Sequence, residues 1–144
     1  MYLSKRSEYG LRALFDLAGQ PSDRPVPLRD LAAQNQLPAK FLEQIFGTLR
    51  NGGIVHSQTG PGGGYTLGRP AEEITLGEVI RLLDGRLAPV SCLSQVDYEP
   101  CSCPDEKTCL LRQAMAPVRQ AIVDMVDQTS LADITNGRRR RPRR

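Results

Sequence analysis

The stretch Ala39-Lys40-Phe41-Leu42-Glu43-Gln44-Ile45-Phe46-Gly47-Thr48-Leu49-Arg50-Asn51, with Gly60-Pro61-Gly62-Gly63-Gly64-Tyr65-Thr66-Leu67 close behind it, decides the fold. Leu42, Ile45, Phe46 and Leu49 recur at helical spacing, so the first part predicts a helix over 39–51 with one buried stripe. Lys40, Glu43, Gln44 and Arg50 fall on its other faces, and Gly52-Gly53 stop it with a left-handed cap available. Residues 54–58 and 65–67 are short strand-like runs. The glycine-rich tip between them needs no side chains and tolerates unusual backbone angles.

Upstream, Leu11, Leu14, Phe15 and Ala18 predict a helix over 4–18, ended by Gly19 and Pro21. A Pro- and Asp-containing loop follows. Residues 28–33 form a short second helix with Leu28, Leu31 and Ala32 inward, broken by Asn35-Gln36-Leu37-Pro38. Two helices joined by a tight turn, a longer third helix and a two-stranded hairpin give the order of a winged helix-turn-helix. The third helix then turns a polar face to a major groove, and the glycine tip brings bare N–H groups to phosphate or enters a minor groove. A protein-binding winged helix has the same order, so this pattern alone leaves both partners open.

Downstream, Thr75 with Glu78 reads as a capping box and Ile74 as its staple, opening a helix through Val79, Ile80, Leu82 and Leu83 to Asp84-Gly85. Residues 86–103 look irregular. Helix resumes from about Pro104, with Leu111, Met115, Val118, Ile122 and Met125 at the seam spacing of helix-on-helix packing. Pro117 predicts a kink or a restart. The expected fold is mainly α with a small β-hairpin wing: a winged helix-turn-helix plus a long C-terminal dimerisation helix. It divides into a DNA-binding domain over 1–70, a cysteine-containing sensor loop with dimerisation helices over 71–135, and a disordered arginine-rich tail over 136–144.

The net charge of +3 conceals a segregation. Residues 1–70 carry eight Lys/Arg against five Asp/Glu, residues 71–137 five against eleven, and residues 138–144 six arginines and no acid. A positive N-terminal unit suits a polyanion, and the tail reads either as a phosphate-contacting arm or as a solvated terminus. No apolar run is long enough to span a membrane, and the start lacks the apolar core of a secretory signal, so the expected compartment is the cytoplasm. The lone histidine, His56, has no acid/base grouping around it, and the glycine tip has no P-loop Lys-Ser/Thr. The chain is therefore not expected to be an enzyme, and His56 reads as a surface residue of the wing.

All four cysteines, Cys92, Cys101, Cys103 and Cys109, fall in one short region with the spacing C-x8-C-x-C-x5-C. In a cytosolic protein such thiols read as ligands or redox groups before structural disulfides. The paired C-x2-C knuckles of structural zinc sites are missing, whereas Fe–S clusters accept irregular, loop-borne spacing. Cys103 and Cys109 flank the predicted helix start at Pro104, whose dipole favours thiolates. A cluster, a metal-free thiol switch and zinc all stay open at this point. Tyr98 and Asp97 read as ordinary loop residues.

Leu42-Glu43-Gln44-Ile45-Phe46 with Leu49-Arg50, then Gly60-Pro61-Gly62-Gly63-Gly64-Tyr65-Thr66-Leu67, resembles the Rrf-type family of winged-helix transcription regulators, over residues 3–134. The resemblance implies a homodimer on a pseudo-palindromic double-stranded DNA operator. It implies that Lys40, Glu43 and Gln44 face base edges, that Arg50 meets the backbone, and that Thr59, Gly60, Pro61, Gly62 and Gly63 form the wing contacts. Glu43 either accepts from a cytosine or repels a phosphate. Cluster-binding relatives often carry an arginine where Thr59 stands, so the operator is expected to differ. Cys92, Cys103 and Cys109 resemble the three cysteines of that branch, which implies an Fe–S cluster, 2Fe–2S by preference. This chain departs by its extra Cys101 and by Arg112 in place of a histidine ligand. Cys101 and Glu8 of the first helix are the two candidates for the open position. The competing functions are a cluster-free thiol-responsive regulator, and a scaffold or electron-transfer protein without DNA binding.

Overall fold

The computed structural model describes residues 2–136. Helices α1 (Lys5–Ala18), α2 (Leu28–Asn35) and α3 (Ala39–Asn51) precede the hairpin β1 (Val55–Gln58) and β2 (Gly64–Leu67). Helices α4 (Leu76–Leu83), α5 (Leu110–Gln128) and α6 (Leu131–Thr135) follow, with short 3₁₀ turns at Ala71–Glu73 and Ser91–Leu93. This is the expected architecture, mainly helical with a two-stranded wing.

Local chemistry sets the helix boundaries. The Ser4 hydroxyl accepts from the Ser7 N–H at 3.1 Å, capping α1, and also meets the Asp84 carboxylate at the end of α4. Prolines 27 and 38 precede α2 and α3, where a fixed φ and a missing N–H cost nothing. Between those helices Gln36 adopts φ +55°, and the Leu37 N–H closes on the Ala32 carbonyl at 2.9 Å. That left-handed residue turns the chain sharply and fixes how α3 crosses α2.

The predicted stripe of α3 is the centre of the core: Leu42, Ile45, Phe46 and Leu49 are all buried. They pack with Leu11, Leu14 and Leu17 of α1, Leu31 of α2, Ile54 and Val55, then Ile74, Val79, Ile80 and Leu83 around α4, and Leu131 of α6. One core thus draws on segments from both sides of residue 70. Truncating its largest member, Phe46, would cost roughly 3–5 kcal/mol.

The wing is antiparallel, with Val55 opposite Leu67 and Gln58 opposite Gly64. Two contacts fix its angle to α3. The Phe46 and Tyr65 rings meet edge to face, centroids 5.0 Å apart. Val26 also exchanges both backbone hydrogen bonds with Tyr65, at 2.9 and 2.8 Å.

Three expectations need correction. Helix α5 starts at Leu110, not Pro104, because residues 105–108 close their own turn: the Asp105 carboxylate accepts from the Lys107 N–H at 3.0 Å and the Thr108 hydroxyl at 3.3 Å. Pro117 does not restart the helix, since α5 runs through it from Leu110 to Gln128. The box at Thr75 is half made: Thr75 accepts from the Glu78 N–H at 3.1 Å, but the Glu78 carboxylate is taken by Arg69. The complete capping box belongs instead to Ser130 and Asp133, opening the short, unforeseen α6. The arginine tail lies outside the described residues.

Helix α5 buries none of its own side chains. Its clearest polar anchor is the Arg81–Asp127 pair to α4, a two-pronged contact at 2.6 and 2.8 Å. Along its seam Leu111, Val118 and Met125 are 57%, 43% and 57% exposed, while Met115 and Ile122 are half-buried.

Candidate nucleic-acid interface and cysteine centre

Because the stripe of α3 faces the core, its other side must face solvent, and Lys40, Glu43, Gln44 and Arg50 are all exposed. Thr59, Gly60, Pro61 and Gly62 at the wing tip are exposed too, and Gly63 is half-buried. Gly60 and Gly62 have φ of +90° and +75°, with open space where a Cβ would stand. The tip therefore presents backbone rather than side chains. A groove lined by Pro27, Leu28, Arg29 and the glycines 60 and 62–64 joins the start of α2 to the wing. The exposed polar groups are Lys40, Gln44 and Arg50 on α3, Arg29 beside the groove, and the backbone of the tip. His56 is exposed on β1, as expected.

The second site lies on the loop between α4 and α5. The sulfurs of Cys101, Cys103 and Cys109 are all within 4.8 Å of one another. Cys109 is the N-cap of α5, so its sulfur stands at that helix's first turn. The Cys103 N–H donates to Cys101 Sγ at 3.3 Å. That donor, with the Cys103 thiol and a hydrogen bond from Cys92, holds the Cys101 thiol below its ordinary pKa. Proton sharing works oppositely on Cys103, whose pKa is pushed up to about 12 by its hydrogen bond to Cys101 and by desolvation. Cys92 is buried, outside the close trio. Four soft donors contributed by one loop, three already converged, fit an iron–sulfur centre. Binding would have to displace the shared protons.

Glu8 lies elsewhere in its own chain, on the face of α1, where it pairs with Lys5 at 3.0 Å and Arg12 at 4.0 Å. Arg112 stands two residues into α5, close enough to Glu106 to help hold that carboxylate in its ionised form.

Glu106 is the residue the sequence reading missed. Its carboxylate accepts from the Cys101 N–H at 2.8 Å and from the Tyr98 hydroxyl at 2.7 Å, which together keep its pKa below the usual carboxylate range. Tyr98 and Asp97 are accordingly more than loop filler. Asp97, at φ +60°, and Glu99 both receive the Arg86 guanidinium, at 2.7 and 2.9 Å. Only a carboxylate between two cysteines, in Cys103-Pro104-Asp105-Glu106-Lys107-Thr108-Cys109, hinted at this role.

An α3 face with its wing, and a thiol centre wired to a long C-terminal helix, define the class of winged helix-turn-helix transcription regulators. The chain belongs to the Rrf2 family, described as iron-dependent transcriptional regulators, which matches residues 3–137. It is 35% identical to the transcriptional regulator CymR of Bacillus subtilis over 94% of this chain and 91% of that protein. It is 32% identical to IscR of Pectobacterium atrosepticum over 96% of this chain and 81% of that one. The solved structure of B. subtilis CymR, titled the global cysteine regulator, superposes with a TM-score of 0.79 at 31% identity, covering 95% of this chain and 98% of that one. IscR of T. potens gives 0.75 at 28% identity, covering all of this chain and 93% of that one. Proteins of this family regulate transcription and are not enzymes. Among the described residues no helix is long and apolar enough to cross a membrane.

Proposed function

We propose that this protein is a cytoplasmic, homodimeric operator-binding regulator whose DNA affinity is set by an iron–sulfur cluster on the loop between α4 and α5. The observation carrying the reading is the convergence of three cysteine sulfurs beside the first turn of α5. Lys40, Glu43 and Gln44 read base edges of a pseudo-palindromic site, Arg50 holds the backbone, and residues 59–63 bring the wing to the duplex. The cluster is of the 2Fe–2S type. The cysteine thiolates of this loop would hold it, supplying the soft donors such a centre needs. When bound, the cluster supplies a centre that responds to oxidants and to iron supply. The chain does the rest. Cys109 holds the N-cap position of α5 and Glu106 ties the Cys101 backbone to Tyr98, so ordering of this loop reaches the helix that spaces two reading heads. The effect on operator affinity equals the cluster's preference for the DNA-bound state.

The exposed seam of α5 supports the dimer, since monomers rarely leave such a row of Leu, Val and Met in water. A metal-free thiol switch is the second reading, favoured by the direct Cys103–Cys101 contact and by the likeness to a cysteine regulator. The deciding experiment is iron and sulfide analysis of anaerobically purified protein, paired with salt-titrated gel shifts before and after cluster removal. Stoichiometric iron and sulfide with an affinity change on removal supports the cluster. Iron-free protein whose binding responds to peroxide moves the assignment to the thiol switch. No site-specific band in any state overturns the operator reading.

A further inference from the structure

We propose that Cys101 is the fourth cluster ligand, so that one chain supplies an all-cysteine set from Cys92, Cys101, Cys103 and Cys109. This rests on the cluster reading above and goes beyond it by assigning the position that Arg112, having no lone pair to offer, leaves open. Two observations converge on Cys101. Its sulfur already lies within 4.8 Å of those of Cys103 and Cys109, a closeness that Cys92 does not share.

Its backbone, moreover, is braced by a carboxylate. Glu106 accepts the Cys101 N–H at 2.8 Å and is itself tied to Tyr98 at 2.7 Å, so the sulfur is aimed from a braced position. Second-sphere partners of this kind orient ligands at metal centres. Glu8 is already engaged on α1, where its carboxylate pairs with Lys5 and Arg12. Thiolate is also the softer donor, which iron–sulfur irons prefer over carboxylate. The cluster of each protomer is then complete without a residue from its partner.

The test uses the full wild-type chain, loaded with ferrous iron and sulfide under anaerobic conditions and challenged with iodoacetamide. The chain has four cysteines, so mass spectrometry after digestion assigns each label. Cys101 is half-exposed and should be alkylated readily in metal-free protein. In loaded protein we expect it to be protected at least tenfold, together with Cys92, Cys103 and Cys109. In parallel, Cys101→Ser should lose at least half its iron and sulfide, while Glu8→Gln keeps the wild-type content and visible spectrum. Alkylation of Cys101 at its metal-free rate, with the other three protected, overturns the assignment and leaves the cluster standing. So does a Glu8→Gln variant that loses the cluster. Wild-type protein holding no iron or sulfide overturns the cluster itself, a result distinguishable from both.

Discussion

At the residue scale, the exposed side chains of α3 divide by the chemistry they can do. Gln44 offers paired amide donor and acceptor groups, which match the edge of one base. Arg50 offers charge, which every phosphate accepts. Gln44→Ala should therefore weaken operator binding about tenfold to hundredfold while leaving random duplex almost unaffected. Arg50→Ala should weaken both alike and lower the slope of log affinity against log salt by about one. Gel shifts across a salt series separate the two, and equal loss on both duplexes for Gln44→Ala would remove its reading role. Such surface residues were legible in the sequence because periodicity assigns them by subtraction: whatever is not on the Leu42–Ile45–Phe46–Leu49 stripe faces out. Glu106 was not legible. Its role depends on the fold of a loop without periodicity, where the Cys101 N–H and the Tyr98 hydroxyl arrive from either side of Pro100.

At the scale of elements, the wing is held by a close backbone approach. Gly64 has φ +152°, and a Cβ there would stand 2.4 Å from the Val26 carbonyl carbon and oxygen. Gly64→Ala must push the wing off Val26, which should destabilise the fold by roughly 1–3 kcal/mol. DNA affinity should fall with it, and unchanged melting and binding would show the approach to be dispensable. The pair joining α5 to α4 behaves differently. The Arg81 guanidinium holds the Asp127 carboxyl below its usual range by hydrogen bonding and charge. Stability from a lowered carboxylate pKa is present above the ordinary carboxylate range and disappears as pH falls through the folded value. Both side chains are more than a third exposed, 35% and 38%, so Asp127→Asn should cost at most about 1 kcal/mol near neutral pH. The gap from wild type should close in acid, as denaturant melts at several pH values would report. A constant gap would mean packing rather than charge. Elements with long apolar periodicity were read correctly. The start of α5 and the whole of α6 were not, because a five-residue helix has too few turns to show a period and Pro104 resembles a helix opening.

At the scale of the whole molecule, the charge segregation and the exposed seam of α5 belong to one design. The N-terminal half, with the proposed reading head, is positively balanced, and the acidic excess falls in the remainder. One reading head engages only a few base pairs, so high affinity requires two heads at fixed spacing, about 34–36 Å apart on successive turns of one duplex face. The linkage is worth more than any single contact, because the second head binds from an effective concentration in the millimolar range. Leu111, Val118 and Met125 lie outside the core, so replacing Val118 and Met125 by lysine should leave each chain folded. The double variant should sediment as a monomer and keep its half-site affinity. Its binding to the full palindrome should fall by roughly 10²–10⁴, since avidity and not contact has been removed. A variant that remains dimeric would place the interface elsewhere on the chain. A monomer that still binds the palindrome as tightly as wild type would mean that DNA itself brings the copies together, and the cysteine loop would then have no spacing to control.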